Sequence, residues 1–90
     1  MIIISYDIQD NKLRTKFNKY IKRFGYRLQY SVYEIENSTK ILDNIMSDMT
    51  NKFEKVFGEQ DSVIIFEMSN TCKITRFGYA KNDEASIIIV

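Results

Sequence analysis

The sequence contains no histidine, and this absence removes a large part of enzyme chemistry. Neither a Ser-His or Cys-His nucleophile pair nor a histidine general base is available, so any catalysis has to use carboxylates, Lys, Tyr, Ser or a bound metal ion. Cys72 is the single cysteine. An internal disulfide is therefore excluded, and with no second cysteine we expect no zinc site and a reducing, cytoplasmic environment.

Proline is also absent, and no Gly-, Pro- or Ser-rich linker, low-complexity tract or internal repeat interrupts the 90 residues. This length predicts one domain over 1–90. The apolar runs at 1–4 and 87–90 are far shorter than the roughly 20 residues of a membrane span, and neither fits a signal peptide. So short a chain buries only about 60–65% of its unfolded surface, which favours self-association to cover the rest.

The net charge of +1 conceals a strong asymmetry along the chain. Residues 1–30 carry seven Lys or Arg against two acids, whereas residues 31–71 carry three bases against eight acids. Segregation of this kind predicts one electropositive surface and a polyanionic partner.

Hydrophobic periodicity predicts two helices and several strands. The helices are expected over 11–24 and 39–57, and the strands over 2–6, 26–36, 62–68, 71–79 and 86–90, with a polar turn at 81–84. Asp10 is expected to cap the first helix, and Gly25 to end it in a left-handed conformation. Asn37 or Ser38 is expected to cap the second helix, which should turn six apolar residues inward: Leu42, Ile45, Met46, Met49, Phe53 and Val56.

The apolar phase of the segment 26–36 changes near Val32 and Tyr33. A bulge, a kink or a division into two short strands would each explain this change. The order of elements predicts an α+β fold, a ferredoxin-like βαββαβ sandwich with both helices on one face of the sheet. An unpaired apolar edge at residues 85–90 would invite aggregation, so we expect this strand to pair with a second copy in a two-fold homodimer.

Asp7 follows a strand that is apolar on both faces and precedes a helix, which places it at the carboxyl edge of the sheet. One carboxylate is a poor Mg²⁺ site, but two-fold symmetry would supply a second Asp7 from the partner. A metal ion held there could polarise a phosphate and activate water. The alternative is that Asp7 only closes a turn onto backbone amides. Asp10 is better suited to helix capping, with an auxiliary metal-binding role as the alternative.

The first helix carries six bases and no acid. Glu residues at i±4 spacing would be expected on an ordinary solvated face, and their absence favours an anionic ligand over a merely soluble helix. One stripe of this helix can lie along a phosphate backbone and bind it without sequence specificity. The predicted nucleic-acid contacts are Lys12, Arg14, Lys16, Lys19, Lys22, Arg23 and, from the following strand, Arg27.

Arg27, Ser31 and Tyr33 are expected on one face of the segment 26–36. A half-exposed sheet often has one polar face, so this pattern alone is weak. An Arg and a hydroxyl near a carboxylate–metal centre are nevertheless the donors that phosphoryl chemistry uses.

Two segments of the chain, IIISYDIQDNKLRTKFNKYIKRFG and YRLQYSVYEIE, resemble the CRISPR-associated protein two family. The resemblance rests on the YDI motif with Asp7, the acid three positions later, Arg14, the Phe24-Gly25 pair and QYSVYE. Strand SVIIFEM and the apolar C-terminal tail extend it over nearly the whole chain. Tyr33 stands where many members of the family carry Phe, a change that keeps the aromatic ring.

The resemblance implies a ferredoxin-like homodimer with an exchanged terminal strand. It also implies a metal-dependent nuclease acting on single-stranded RNA or double-stranded DNA, with Asp7 binding Mg²⁺ (or Mn²⁺ in its place). Asp10, Arg14, Arg27, Ser31 and Tyr33 would lie around that site. The family's structural task is to hold prespacer DNA and bridge dimers of the CRISPR integrase, in a heterohexameric or heterotetrameric complex.

Three other functions remain open at this point. The first is a purely non-catalytic DNA-binding adaptor, in which Asp7 has no required role. The second is a toxin-type endoribonuclease of similar size and fold. The third is a ligand-binding regulatory module, which the lack of a Gly-rich ligand loop disfavours.

Overall fold

The computed structural model describes residues 1–69, 71–73, 75 and 77. The described chain forms β1 (Ile2–Asp7), α1 (Asn11–Ile21), β2 (Gly25–Gln29), β3 (Val32–Ile35), α2 (Thr39–Asp48) and β4 (Ser62–Glu67). A π-helical turn at Met49–Phe53 and a 3₁₀ turn at Glu54–Val56 continue α2. No helix in the described ranges is both long and apolar enough to cross a membrane.

The four strands form one antiparallel sheet in the order β2-β3-β1-β4. β1 lies at the centre, with Ile4 opposite Tyr33 of β3 on one side and opposite Ile65 of β4 on the other. This order, with two helices as the connections, confirms the predicted ferredoxin-like α+β sandwich.

The core lies between the sheet and the two helices. Alternate residues of β1 (Ile2, Ile4 and Tyr6) point into it, because successive side chains of a strand face opposite sides of the sheet. The helical layer covers them with the buried residues Phe17, Ile21, Ile45 and Phe53. The opposite face of the sheet carries no helix within the described chain and is called the open face below.

Asp10 caps α1 as predicted, since its Oδ2 accepts a hydrogen bond from the Leu13 amide at 2.8 Å. The helix ends at Ile21 rather than residue 24, where the last bonds tighten to an i→i−3 pattern. The expectation of a left-handed glycine cap at Gly25 is wrong. Gly25 instead begins β2, and a Cβ at this position would lie 1.9 Å from the Glu34 carbonyl oxygen. Close approach of two strands, not helix termination, explains this glycine.

Ser38 caps α2, with its Oγ accepting from the Ile41 amide at 3.3 Å. The regular helix stops at Asp48, and the π-helical turn that follows carries Phe53 into the core. The predicted inward face is only partly correct, because Met46 and Val56 were expected inside but 51% and 60% of their surfaces are exposed. Val56 follows the π-helical turn, which changes the helical phase. Met46 precedes that turn and lies about 100° around the helix from the buried Ile45, which puts it outside the apolar stripe.

The segment 26–36 is divided into two strands, one of the three alternatives that its change of apolar phase allowed. A two-residue turn at Tyr30 and Ser31 joins β2 to β3, and Ser31 has a φ of 67°, in the left-handed region. A register shift between Arg27 and Gln29 adds a bulge to the hairpin.

The described residues of the strand predicted over 71–79 do not form a strand. A turn closed by the Cys72 amide and the Ser69 carbonyl, at 3.1 Å, begins this region. The turn predicted at 81–84 and the exchanged strand predicted at 85–90 lie outside the described residues.

The close approach at Gly25 predicts that Gly25→Ala destabilises the fold. We expect a loss of about 1–3 kcal/mol, because the added methyl group meets backbone rather than a side chain that can move aside. Urea unfolding followed by circular dichroism measures this loss. Gly58→Ala is the matched control, since its Cβ would meet Asp61 Oδ2 at an ordinary 3.6 Å. Equal stability of the two variants would contradict the prediction.

Candidate active site at the end of the central strand

Asp7 is the last residue of β1, and its side chain is exposed. The alternation of the strand places it with Ile3 and Ser5 on the open face, away from the helices. Its Oδ1 accepts a hydrogen bond from Gln9 Nε2 at 3.0 Å. The Asp7 carboxylate is therefore accessible to solvent, and it lies at the sheet edge that the sequence analysis predicted for it.

The loop after β1, residues 8–10, is fastened on one side by Asp61. The Asp61 Oδ1 accepts from the Gln9 amide at 2.8 Å, and its Oδ2 accepts from the Gly58 amide at 2.7 Å. These two hydrogen bonds favour the ionised carboxylate and hold the pKa of Asp61 below its ordinary value of 3.8. The Asp61 side chain thus connects the loop before β4 to the loop that follows Asp7.

Arg14 fastens the same loop from the helix side. Its Nη1 donates to the carbonyl oxygens of Ile8 and Gln9 at 3.0 and 3.3 Å, and its Nη2 donates to Asn11. Arg14 was predicted as a nucleic-acid contact and as a residue near the site. The structure places its guanidinium against the Asp7 loop, where it acts on the backbone that positions the carboxylate.

The two acids near the helix start have separate uses. Asp10 points its carboxylate at the helix, as the Leu13 contact shows. A turn-closing Asp7 would accept from the Gln9 amide, but Asp61 takes that amide instead. Asp7 therefore accepts no hydrogen bond from a described backbone amide, and its carboxylate contacts only the side-chain amide of Gln9 among the described residues.

Ser31, Tyr33 and Arg27 surround the hydroxyl of Tyr6 rather than the carboxylate of Asp7. Asn18 Nδ2 donates to the hydroxyls of Tyr6 and Tyr33, at 3.0 and 2.7 Å, on the helix-covered face. Burial raises the pKa of Tyr6, an effect that the nearby Asn18, Ser31 and Arg27 only partly offset. Tyr6 and Asp7 are adjacent in sequence but face opposite sides of the sheet, so this polar cluster and the carboxylate are separate features.

Lys12, Lys16 and Lys19 lie at helical spacing on the outer side of α1, and Arg23, in the turn that follows the helix, continues this row; the four residues are called the basic stripe. All four side chains are exposed, and none forms an ion pair with a described carboxylate. Lys22 is exposed beside the stripe. Since α1 covers the face opposite to Asp7, the structure does not bring the basic stripe and the carboxylate together on one surface.

The open face is apolar next to Asp7. Ile64 and Phe66 of β4 are 52% and 45% exposed there, and they pair with Ser5 and Ile3 of β1. Leu28 and Val32 border the same groove on the other side of β1. Large exposed aliphatic and aromatic side chains gathered on one sheet face are typical of a surface that is covered in the functional protein.

The described carboxylates of one chain do not form a metal site with three protein ligands. Among the described residues no three Asp, Glu or Cys side chains are grouped closely enough to hold a metal ion. Mg²⁺ takes one or two protein carboxylates and completes its shell with water and substrate phosphate. Asp7 fits that requirement as a single exposed ligand. Asp10 is also exposed with one carboxylate oxygen outside any described hydrogen bond, but its other oxygen caps α1.

Comparison with known proteins identifies the family. The family model described as CRISPR associated protein Cas2 matches residues 1–76. The chain belongs to the Cas2 family. The resemblance predicted from the YDI and QYSVYE segments is confirmed, and with it a CRISPR-associated role.

A curated relative agrees with that family, and a solved structure shares the fold. A protein of Chloroflexus aurantiacus named "CRISPR-associated endoribonuclease Cas2 3" is 53% identical over 32 residues. The aligned part spans 36% of this chain and only about a third, 34%, of the relative. A hypothetical protein of Thermus thermophilus has a crystal structure that superposes with a TM-score of 0.68 at 22% identity. It covers 88% of this chain and 93% of its own, which shows a shared fold.

Three polar residues around this Cas2 site were missed by the sequence reasoning. Gln9, Asn18 and Asp61 each make the contacts given above, yet none belongs to a recognised motif. Asn18 could have been noticed as an uncharged amide beside the apolar stripe of a basic helix. Asp61 gave no such signal, because its partner in the loop after β1, Gln9, is 52 residues away in sequence.

The Asp61 contacts predict a specific pH dependence of stability. A carboxyl with a lowered pKa in the folded state stabilises the protein fully above 3.8, its unfolded value, and loses that contribution as the pH falls through the folded value. We expect Asp61→Asn to lower the unfolding temperature at neutral pH, with the difference from wild type vanishing in acid.

Differential scanning fluorimetry across the acidic range measures this effect. Asp43→Asn is the matched control, because Asp43 is an exposed acid on α2 that accepts no hydrogen bond from a described residue. A pH-independent difference for Asp61→Asn would show that the variant acts through packing and not through the charge.

Proposed function

We propose that this chain is a CRISPR adaptation protein. A homodimer binds prespacer DNA and bridges dimers of the CRISPR integrase during spacer acquisition, and the same dimer retains a metal-dependent nuclease centred on Asp7. The observation that carries the proposal is the unpaired basic stripe of α1, because four exposed bases without acidic partners among the described residues repel one another until an anion binds.

The geometry of the stripe favours a nucleic-acid backbone as that anion. Its four charges run along α1 and the turn that follows it, a row suited to phosphates rather than to base edges, so the expected binding is independent of sequence and sensitive to salt. That is the behaviour required of a protein that holds prespacers of any sequence. The stripe lies on the helix layer, so holding DNA and cleaving it use different surfaces.

The homodimer is supported by the apolar open face. Ile64 and Phe66 expose about half of their surfaces at a face bordered by Ile3 and Val32. A second copy docking there about a two-fold axis would cover these side chains on both subunits. Asp7 lies at the edge of the same face, so a two-fold axis that passes near this edge would also bring the two Asp7 carboxylates towards each other.

The nuclease part of the proposal assigns the Asp7 pair to a Mg²⁺ ion, with Mn²⁺ as a substitute. The ion would neutralise charge on the scissile phosphate and make a water molecule more acidic. Hydrolysis requires that water to lose a proton and attack phosphorus, while the bond from phosphorus to the leaving oxygen breaks and that oxygen gains a proton. With no histidine in the chain, carboxylates, Lys, Tyr or Ser side chains and solvent are left to move these protons.

The other residues of the site act by positioning. Arg14 and Asp61 hold the backbone on both sides of Gln9, and Gln9 in turn donates to Asp7. A carboxylate restrained in this way needs little reorganisation to accept a metal ion and substrate. Arg27, Ser31 and Tyr33 support Tyr6 and the central strand, according to their contacts, and are not assigned a direct part in cleavage.

Variants of the two surfaces should separate the two activities. We expect Asp7→Asn to abolish metal-dependent cleavage of RNA and DNA while leaving duplex binding intact. The triple variant K16E/K19E/R23E should instead lose duplex binding and keep metal-dependent cleavage. The slope of log K against the logarithm of the salt concentration should become shallower by about 0.9 for each phosphate that the stripe no longer neutralises.

Cleavage gels with Mg²⁺, Mn²⁺ or EDTA and fluorescence anisotropy at several salt concentrations provide the measurements. Spacer acquisition with the cognate integrase tells which activity the cell needs. If a folded Asp7→Asn variant no longer supports spacer acquisition, the proposal that the adaptor role is independent of cleavage is contradicted. Wild-type cleavage by that variant would remove the nuclease assignment.

The proposed dimer predicts that a charge introduced into its interface separates the subunits, whereas the same charge outside the interface does not. Phe66→Glu on the open face should convert the protein to monomers and remove cleavage, because each Asp7 loses its symmetry mate. Met46→Glu is the matched control, since Met46 is 51% exposed on the helix layer and should leave the dimer intact. Light scattering after gel filtration gives the mass. A dimeric Phe66→Glu variant would show that the copies meet elsewhere.

A further inference from the structure

We propose that Tyr30 is a base-stacking platform beside the Asp7 site. The tyrosine occupies the tip of the β2–β3 hairpin, with 75% of its surface exposed, and makes no hydrogen bond or ring contact with any described residue. Tyr6, Tyr20 and Tyr33 are instead engaged by Asn18 or Asp48. A large aromatic ring held out in water at a tight turn costs hydration free energy and is suited to a flat partner.

The sheet places the tip of this hairpin next to the end of β1. β1 and β3 pair from Ile2 opposite Ile35 to Ser5 opposite Val32, and the Tyr6 amide continues the ladder by donating to the Ser31 carbonyl at 3.0 Å. Tyr30 is the next residue of the turn, which leads towards β2, and Asp7 is the residue after Tyr6. A nucleotide whose phosphate is bound at Asp7 would therefore extend its base towards the hairpin tip that carries Tyr30.

The turn fixes the backbone that presents the ring. Only two residues join the strands, Ser31 is held at a φ of 67°, and the Tyr6 amide anchors its carbonyl. Ordering this backbone on binding therefore costs little. Stacking on an aromatic side chain requires a base whose face is accessible, which means an unpaired base and not one inside a duplex.

This inference rests on the proposed function for the nature of the ligand, a nucleic acid, and for the presence of a phosphate at Asp7. It adds a binding residue that the basic stripe does not include. Tyr30 is assigned to binding and to the choice between unpaired and paired bases, with no part in the chemical step.

The test exploits the complete absence of tryptophan from the chain. Tyr30→Trp introduces a single fluorophore that can still stack, and Tyr26→Trp, at a tyrosine 43% exposed near the far end of the same hairpin, is the matched control. Both are titrated in EDTA with a short single-stranded RNA, its DNA equivalent, a blunt duplex and inorganic polyphosphate.

We expect single strands to quench the fluorescence of Tyr30→Trp, whereas duplex and polyphosphate leave it unchanged and Tyr26→Trp responds to none of them. Tyr30→Ala should weaken single-strand binding by about 5- to 100-fold, the range for loss of one stacked base, and Tyr30→Phe should bind as wild type. Thermal unfolding of each variant confirms that the fold is kept.

Several results would overturn the inference. These are an unquenched Tyr30→Trp, equal quenching at positions 26 and 30, wild-type affinity in Tyr30→Ala, or blue-shifted emission of free Tyr30→Trp, which would mean that a second copy covers the ring. Because no metal is present, the outcome does not depend on cleavage. Conversely, Asp7-dependent cleavage with an unaltered Tyr30→Ala would remove this inference alone.

Discussion

A strand that pairs along both edges and is covered by helices on one face has a single face left for polar chemistry, and β1 is such a strand. Its alternation sends Ile4 and Tyr6 into the core, so Asp7 must point the other way. A shift of one residue in register would bury the carboxylate among apolar side chains at prohibitive cost. The position of the candidate site is thus a consequence of core packing.

The loop after β1 shows how a small domain can hold an exposed carboxylate in place. Asp61 and Arg14 approach the backbone of residues 8–10 from opposite elements, one by accepting and one by donating hydrogen bonds. Both are charged groups bonded to backbone atoms, which makes each bond stronger than a neutral one. The loop therefore behaves as part of the sheet edge, and the nearby hairpin tip is tied to the same edge through Ser31.

The two activities proposed for the protein, nucleic-acid binding and cleavage, are assigned to opposite faces of the sheet. The helix layer carries the basic stripe, whose charges have no described acidic partner, and the open face carries apolar side chains that end at Asp7. A ferredoxin-like sandwich with helices on one side supplies this separation without additional elements. The proposed nucleic-acid binding on the helix layer therefore does not require strong cleavage activity at the open face.

The amino-acid sequence by itself determined the elements that local periodicity encodes: the central strand, the Asp10 cap, the basic helix and a change of apolar phase near Val32. Only the structure decided that this change is a division into two strands. The sequence also carried the family, because the YDI and QYSVYE segments are local. Only the tertiary structure decided that Gly25 serves a strand contact, that Arg14 faces the loop and that Asp61 closes it. These contacts join residues that are distant in sequence or depend on how one element approaches another, and neither spacing nor hydrophobic pattern records such distances.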